Sequence, residues 1–376
     1  MIPRIIIAAP ASGQGKTTIA TGLMAALARR GLKVQGFKAG PDYIDPVFHT
    51  AATGRPSRNL DTWLMGEDLV LESFERAAAG ADIAVIEGVM GLFDGHSGKD
   101  DAGSGAHLAR LLKAPVLLVV DAWAMARSAA ALVHGFATFD PDVRVGAVLL
   151  NNLAGEGHYR FIAEALEGCG VPPVGWLKKD DRLHMPERHL GLVPGHSAPF
   201  LDTLAEAIAA SVDLDAVVKL AASAGAWRGP TTRRFPQEPT QQRFTLAVAQ
   251  DEAFWFYYQD GLEYLQTLGA EIIPFSPLRD RPPQHAQAVY IGGGYPELHL
   301  DELAANQPML DWLRTTRAPV YAECGGLMYL TRAITDSAGR RYPMVGRLPT
   351  EALMAGQGLK LGYVEATALC DHLLAA

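Results

Sequence analysis

Short apolar runs alternate with helical patterns from the start of the chain to about residue 220. Such alternation predicts parallel strands joined by crossover helices, and an open α/β sheet of this kind binds ligands at the carboxyl ends of its strands. The predicted strands of this first part are Ile5–Ala9, Gln35–Lys38, Ile83–Glu87, Val116–Asp121 and Val145–Asn151.

A second alternating pattern follows residues 226–243, a stretch rich in Pro, Arg, Thr and Gln that is typical of a linker. A helical segment that ends at Leu268 separates its first two strands. We therefore predict two α/β domains, residues 1–225 and 244–376, on either side of this linker. The predicted strands of the second domain are Phe244–Ala249, Glu271–Phe275, Ala288–Ile291 and Val320–Ala322.

Composition narrows the classes of function. The 376 residues are 49% hydrophobic and 20% charged, which is typical of a globular protein. The net charge of −8, without a basic cluster, disfavours nucleic acid as the main partner, so we expect a small substrate. No apolar run reaches the ~18 residues of a transmembrane helix, and Met1 leads directly into the first strand. We therefore expect a cytoplasmic protein without a signal peptide or membrane contact.

The first predicted strand runs into the string Ser12-Gly13-Gln14-Gly15-Lys16-Thr17-Thr18, and a helical pattern follows from Ile19 to Arg30. A strand, a loop ending in Gly-Lys-Thr and a helix together predict a phosphate-binding loop, because backbone N–H groups and the helix dipole both favour an anion there. Pro10 stands where the usual motif has its first glycine.

This loop predicts a nucleotide site. Lys16 is expected to reach the β- and γ-phosphates, and Thr17 to bind Mg²⁺ through its hydroxyl. Asn151, at the end of the fifth strand, is either a reader of the adenine edge or a turn residue. The predicted nucleotide-binding residues are Gly13, Gly15, Lys16, Thr17, Thr18 and Asn151.

Carboxylates follow the second and third strands. The loop Lys38–Pro46 contains two prolines and a glycine, so we expect it to be extended and stiff and to direct Asp42 and Asp45 towards the bound phosphates. Glu87 ends the third strand on the same edge of the sheet. Oxygen ligands facing a triphosphate suit Mg²⁺, so we predict that Thr17, Asp42 and Glu87 hold the metal.

The second domain contains a candidate nucleophile. The three cysteines lack CxxC spacing, which argues against a disulfide frame or a zinc site. Cys324 lies on a predicted tight turn between a strand and a helix, the position of a nucleophile elbow, where the thiol is exposed and a thiolate is stabilised. About thirty residues upstream, Gly293 and Gly294 belong to a glycine loop expected to aim backbone N–H groups at a developing oxyanion.

Together these strings resemble the cobyrinic acid a,c-diamide synthase family, over nearly the whole chain. The strings that carry the resemblance are Ser12–Thr18, Lys38 with Gly40–Pro46, Asn59–Asp61 with Trp63, Glu87–Gly95, Pro186–Gly191, the Gly292 loop and the Cys324 turn.

The resemblance implies an N-terminal ATP-dependent amidoligase domain, P-loop NTPase-like and similar to dethiobiotin synthetase, followed by a class I glutamine amidotransferase-like α/β domain. ATP and Mg²⁺ would activate the a and c carboxylates of cobyrinate or hydrogenobyrinate, and ammonia released from glutamine on Cys324 would displace the phosphate. The resemblance implies catalytic roles for Lys38, Asp45, Glu87 and Cys324. It implies substrate contacts for Asp42, Tyr43 and Ile44.

The chain departs from the family at its C-terminal end. The family places the glutaminase base in a string such as Gly-His-Glu-Phe, and this sequence ends at Ala376 before that string; His372 lies in a different context. We therefore expect a C-terminally truncated amidotransferase domain that supports synthesis from ammonium better than from glutamine, because a proton relay is missing.

Three alternatives bear on this interpretation. The Gly-Pro-Asp-Tyr string disfavours cobyric acid synthase, whereas the a,c-diamide synthase of the nickel tetrapyrrole pathway has nearly the same motifs and stays open. An ATPase switch of the ParA or MinD kind is disfavoured, because Pro10-Ala11 replaces its additional lysine. The sequence leaves open whether the ring contains cobalt, which carboxylate reacts first, and whether the protein is a homodimer.

Overall fold

The computed structural model describes residues 2–183, 185, 198–236, 238, 240, 243–354 and 362–367. The Pro186–Gly191 string, Cys370 and His372 lie outside the described residues.

The first domain is built on a seven-stranded sheet in which every pairing is parallel. Its order is β3-β2-β4-β1-β5-β6-β7, so β1 lies at the centre and the loop that follows it emerges mid-sheet. The strands are β1 Arg4–Ala8, β2 Val34–Ala39, β3 Arg58–Leu60, β4 Ile83–Glu87, β5 Val116–Asp121, β6 Val145–Leu153 and β7 Pro173–Lys178.

Helices cover both faces of this sheet. The helices are α1 Lys16–Arg29, α2 Asp45–Thr53, α3 Gly66–Ala78, α4 Gly105–Leu112, α5 Ser128–Thr138, α6 Glu156–Leu166, α7 Ala198–Ser211 and α8 Leu214–Ala222. Successive side chains of β1 alternate between two cores: Ile6 packs with residues of α3–α6, and Ile7 packs with residues of α1, α7 and α8. α1 and α7 approach closely at Gly22, where a Cβ would come within 2.9 Å of Leu204 and Ile208.

The second domain has a four-stranded parallel sheet of order β11-β10-β8-β9. Its strands are β8 Phe244–Ala249, β9 Ala270–Phe275, β10 Ala288–Ile291 and β11 Val320–Ala322, and three short strands form a separate sheet, β12 Ala333–Thr335, β13 Arg341–Pro343 and β14 Ala352–Leu353. Its helices are α9 Gln259–Thr267, α10 Leu300–Ala305, α11 Gln307–Thr315 and α12 Gly325–Leu330.

The predicted α/β class is confirmed, and most strand bounds agree to within two residues. Two predictions were wrong in detail: the helix expected from Ile19 begins at Lys16, and the loop expected to stay extended through Pro46 turns helical at Asp45. Proline in the first turn of a helix is tolerated because its missing N–H has no intrahelical partner there, so Pro46 fits the first turn of α2. The strands β3, β7 and β12–β14 were not predicted.

The segment predicted as a linker lies against α3. Trp227 packs edge-on against Phe74 at a centroid distance of 5.5 Å, and the buried carboxylate of Glu72 accepts hydrogen bonds from the backbone N–H groups of Arg234 and Phe235. These contacts fix the chain between the two domains to the first one.

Charged contacts join the two domains directly. Arg58 of β3 forms an ion pair of 3.0 Å with Asp260 and a second with Glu263, both near the start of α9. Tyr363 donates a hydrogen bond of 2.8 Å to Asp61. The two domains therefore meet along β3 and the residues after it.

Arg4 is fully buried at the start of β1. Its guanidinium donates to three backbone carbonyls: Ile2 at 3.0 Å, Leu112 at 2.6 Å, and Gly225. Burial lowers the pKa of Arg4 to about 10. This side chain therefore connects the first strand to the end of α4 and to the last residue of the predicted first domain.

Among the described residues, no helix combines the length and apolar character needed to cross a bilayer.

Candidate functional site

The loop after β1 has the backbone of a phosphate cradle. Gly13 and Gly15 have φ of 78° and 90°, in the left-handed region that favours glycine, and Gly15 caps α1. A Cβ on Gly15 would overlap the amide of Asn151, whose Nδ2 donates to the carbonyl of Gln14 at 3.0 Å. Asn151 therefore lies against the loop, where it stabilises the loop's shape.

Lys16 lies over this loop. Its Nζ donates to the carbonyl of Ala11 at 2.9 Å, and its side chain is buried. Burial, together with the charge of Lys38, lowers the pKa of Lys16 to about 8. A buried cation whose hydrogen-bond partner is a neutral carbonyl is well suited to bind an anion. The new charge–charge contacts offset the free-energy cost of removing the cation from water.

A buried charged cluster, formed by Thr17, Lys38, Asp45 and Glu87, lies beside the loop. Lys38 Nζ donates to Asp45 Oδ2 at 2.6 Å and to Glu87 Oε1 at 2.8 Å. Thr17 Oγ1 donates to Glu87 Oε1 at 2.6 Å and lies 3.2 Å from Asp45 Oδ2. Four groups from α1, β2, α2 and β4 thus converge at the carboxyl edge of the sheet.

The protonation of this cluster follows from burial and pairing. Burial and the neighbouring charge of Glu87 raise the pKa of Asp45 to about 6, although Lys38 opposes the shift. Burial also acts to raise the pKa of Glu87, but Lys38 and His49 outweigh it and hold that pKa below its ordinary value. Glu87 is therefore the carboxylate of the cluster that stays ionised to the lower pH.

His49 orients Glu87 from the other side. His49 Nε2 lies 2.7 Å from Glu87 Oε2, and Nδ1 lies 3.3 Å from the hydroxyl of Ser57. His49 and Glu87 are both fully buried. One carboxylate oxygen thus contacts His49 while the other contacts Thr17 and Lys38. The sequence places His49 behind the acidic loop but gives no sign of this contact.

The acidic loop is held by its own hydrogen bonds. Asp42 Oδ1 accepts from the N–H groups of Ile44 at 2.7 Å and Asp45 at 3.1 Å, and Asn59 Nδ2 donates to the carbonyls of Gly40 and Asp42. Asp42 Oδ2 lies 3.9 Å from Lys38 Nζ. Of the two carboxylates in this loop, Asp45 is therefore the one that contacts Thr17, and Asp42 lies further from the charged cluster.

A cavity of about 1080 Å³ opens over the cluster, large enough for a nucleotide with part of a second substrate. Its lining includes the phosphate loop, Asp42 and Asn151, together with the apolar side chains of Leu177, Leu183 and Met185.

The oxygens of the cluster fit Mg²⁺. The Thr17 hydroxyl lies 2.6 Å from Glu87 Oε1 and 3.2 Å from Asp45 Oδ2, and a hydroxyl and carboxylates are the hard ligands that this ion prefers. In the described part of the chain, no group of three or more His, Cys, Asp or Glu side chains is arranged to hold a metal ion by itself.

The second site is built around Cys324. Its φ of 52° and ψ of −120° are unusual for a residue with a side chain, and its thiol is exposed at the turn between β11 and α12. The N–H of Gly326 donates to the carbonyl of Gly292 at 2.9 Å, which holds the turn against the glycine loop. This is the geometry of a nucleophile elbow.

The glycine loop leaves room for a substrate beside the thiol. A Cβ on Gly293 would lie 3.2 Å from Cys324 Sγ, closer than ordinary van der Waals contact, and a Cβ on Gly294 would overlap the carbonyl of Ala253. Backbone therefore lines this side of Cys324, as the predicted oxyanion role of Gly293 and Gly294 requires. That role stays a prediction.

Both parts of the chain match known families. A model of the CobQ/CobB/MinD/ParA nucleotide binding domain matches residues 5–193, and a model of the CobB/CobQ-like glutamine amidotransferase domain matches residues 245–369. The cobyrinate a,c-diamide synthase of Dehalococcoides mccartyi strain CBDB1 is 44% identical and aligns with 100% of this chain and 83% of its own. This chain belongs to the cobyrinate a,c-diamide synthase family.

Other members of the family agree with this assignment. The hydrogenobyrinate a,c-diamide synthase of Streptomyces coelicolor is 43% identical over 100% of this chain and 84% of its own. The cobyrinate a,c-diamide synthase of Syntrophotalea carbinolica is 45% identical over 96% and 81%. A signal recognition particle receptor FtsY from Elizabethkingia anophelis aligns with 54% of this chain and 65% of its own, with 17% identity and a TM-score of 0.37, and supports no functional conclusion.

The family confirms the resemblance seen in the sequence and the glutamine amidotransferase class of the second domain. It also disfavours an ATPase switch, which would not need an amidotransferase domain. The predicted residues form two groups, one around Thr17 and Glu87 and one around Cys324. Tyr43 lies between them, against the second domain.

Proposed function

We propose that this protein amidates the a and c carboxylates of cobyrinate or hydrogenobyrinate with ATP, Mg²⁺ and ammonia taken from glutamine. The observation that carries the proposal is the pairing of a phosphate loop and buried charged cluster with a thiol elbow in one chain. A cytoplasmic location and a homodimeric state stay predictions.

The first domain would form the acyl phosphate. A ring carboxylate oxygen attacks the γ-phosphorus of ATP and ADP leaves, so the stable carboxylate becomes an acyl phosphate that ammonia can attack. Lys16 and the loop N–H groups hold the phosphates and stabilise the charge on the transferred group. Lys38 would neutralise Asp45 and Glu87 so that two anions can approach them.

When bound, Mg²⁺ would supply positive charge that neutralises the phosphates. Thr17, Asp45 and Glu87 are the residues placed to hold it, with Asp42 in reach of the same cation cluster. Sequence reasoning chose Asp42 over Asp45 as a ligand; the hydrogen bonds of Asp42 to its own loop favour a role in shaping the acceptor side.

The second domain would supply ammonia. The Cys324 sulfur attacks the side-chain amide carbon of glutamine and forms a thioester. The amide nitrogen takes up the thiol proton and leaves as ammonia. Water then hydrolyses the thioester to glutamate and restores the thiol. The ammonia displaces phosphate from the acyl phosphate in the first domain, loses a proton and becomes the ring amide.

Product analysis tests the proposal. The protein is incubated with Mg-ATP, with cobyrinate or hydrogenobyrinate, and with either ammonium or glutamine labelled at its amide nitrogen. We expect diamide, detected by mass spectrometry, with the label incorporated from glutamine. If only the nickel-containing ring precursor is converted to an amide, the result would favour the nickel tetrapyrrole pathway. ATP hydrolysis without amide formation would contradict ligase activity.

A further inference from the structure

Tyr43 belongs to the acidic loop of the first domain but contacts the second. Its ring stacks on Phe256 at a centroid distance of 4.9 Å with an interplanar angle of 3°, and on Tyr258 at 4.5 Å with an angle of 30°. An aromatic side chain of the first domain is thus held between two rings of the other.

Those rings adjoin the glycine loop of the amidotransferase site. The N–H groups of Trp255 and Phe256 both donate to the carbonyl of Gly293, at 3.0 and 3.1 Å. The ring of Phe256 lies 3.1 Å from the position of a Cβ on Gly293, which is itself 3.2 Å from Cys324 Sγ. Movement of Phe256 would therefore move the backbone beside the thiol.

We propose that Tyr43 is a positioning residue of the glutamine site, which the first domain contributes to the second. It holds Phe256, and through Phe256 the Gly293 backbone, at the distance from Cys324 that bound glutamine requires. The inference rests on the proposed function only in taking glutamine as the ligand of Cys324. Acceptor binding alone would not require the two aromatic stacks.

Protection of Cys324 from alkylation measures this without turnover. The intact protein is treated with iodoacetamide at increasing glutamine concentrations, without ATP or tetrapyrrole, and modification of Cys324 is followed by peptide mass spectrometry. We expect Tyr43→Ala to raise the glutamine concentration for half-protection about tenfold, because the free energy of an aromatic stack corresponds to up to about tenfold in an equilibrium constant. Tyr43→Phe keeps both stacks and should retain the wild-type value.

Tyr363→Ala is the matched control, because it removes another tyrosine that joins the domains, at Asp61 and Trp63, away from the glycine loop. Its protection curve should match the wild type. An unchanged melting temperature shows that Tyr43→Ala is folded, and Tyr43→Leu replaces it if it is not.

Equal protection in Tyr43→Ala and wild type would overturn the inference, as would equal loss in Tyr363→Ala. Absence of glutamine protection in the wild type would instead contradict the glutamine part of the proposed function, and this inference with it. Failure to amidate either tetrapyrrole leaves the protection result interpretable, because the assay contains no acceptor.

Discussion

The two candidate sites of this protein are built from different material. The site of the first domain consists of charged side chains, with Lys38, Asp45 and Glu87 at most 4% exposed and all paired. The site of the second domain consists of backbone, with an exposed thiol on a strained turn facing a glycine loop. The difference follows the chemistry: phosphoryl transfer needs charges held in place, and acyl transfer needs access and N–H donors.

This contrast has an energetic side. A buried group of one cation and two carboxylates is stable only while its members remain together, because removing one leaves a charge without its partner. A glycine-lined turn is instead sensitive to added volume. We therefore expect the first site to fail when charges are neutralised and the second to fail when its nucleophile is removed or its loop is displaced.

The most direct separation of the two sites is Cys324→Ala. It should abolish glutamine-dependent synthesis completely, because no other nucleophile can form the thioester, and leave the ammonium-dependent rate unchanged. Both rates are measured with the same acceptor. A parallel loss with ammonium would show that the sites do not work independently.

Lys16→Ala is the converse test. Loss of the cation that binds the phosphates should lower the ammonium-dependent and glutamine-dependent rates together by about 10²- to 10³-fold. Glutamine protection of Cys324 should stay intact, since that site is in the other domain. A folded Lys16→Ala protein with normal amide formation would disprove the assignment of the phosphate loop.

Glu87→Gln tests whether the charged cluster is needed for turnover. Neutralising Glu87 removes the shared partner of Lys38, His49 and Thr17, so kcat should fall about a hundredfold with a smaller change in the KM for ATP. Asp45→Asn should act in the same direction. Initial rates over a range of ATP concentrations measure both constants, and wild-type turnover in both variants would place the reacting centre elsewhere.

His49→Asn should give the smallest of these effects. Without the contact to Oε2, the Glu87 carboxylate can rotate away from Thr17, and outer residues of this kind typically change metal affinity or activity about tenfold. The expected sign is a higher Mg²⁺ concentration for half-maximal rate. Ser57→Ala, which loses the contact of 3.3 Å to His49 and the hydrogen bond of 3.1 Å to the carbonyl of Gly36 but keeps the His49–Glu87 contact, is the control. An unchanged Mg²⁺ dependence in His49→Asn would remove this role.

The sequence predicted well those features that consecutive residues encode. Apolar runs marked the central strands, and the glycines near Lys16 and Cys324 marked positive φ or close approach. The strand β3 was missed because its three residues are too few to show a pattern, and β7 because it begins with Pro173, which an edge strand tolerates.

Contacts between distant segments could not be predicted in this way. His49 meets Glu87 only because α2 packs beside β2 and β4, and Tyr43 meets Phe256 only because the two domains dock. Neither pair is marked by spacing or composition, since each depends on how elements pack in three dimensions. Whether Asp42 or Asp45 lies beside Thr17 also depends on where α2 begins.

The buried guanidinium of Arg4 sets the order in which the first domain can be completed during synthesis. The carbonyl of Gly225, one of its acceptors, emerges from the ribosome 221 residues after Arg4. One N–H donor of this buried cation therefore has no partner until the end of the domain has been synthesised. A fragment that stopped at residue 193, where the nucleotide-binding match ends, would also lack Leu204 and Ile208, which pack against Gly22. We therefore expect the smallest piece that folds by itself to extend to Gly225, beyond the end of the segment that the family model matches.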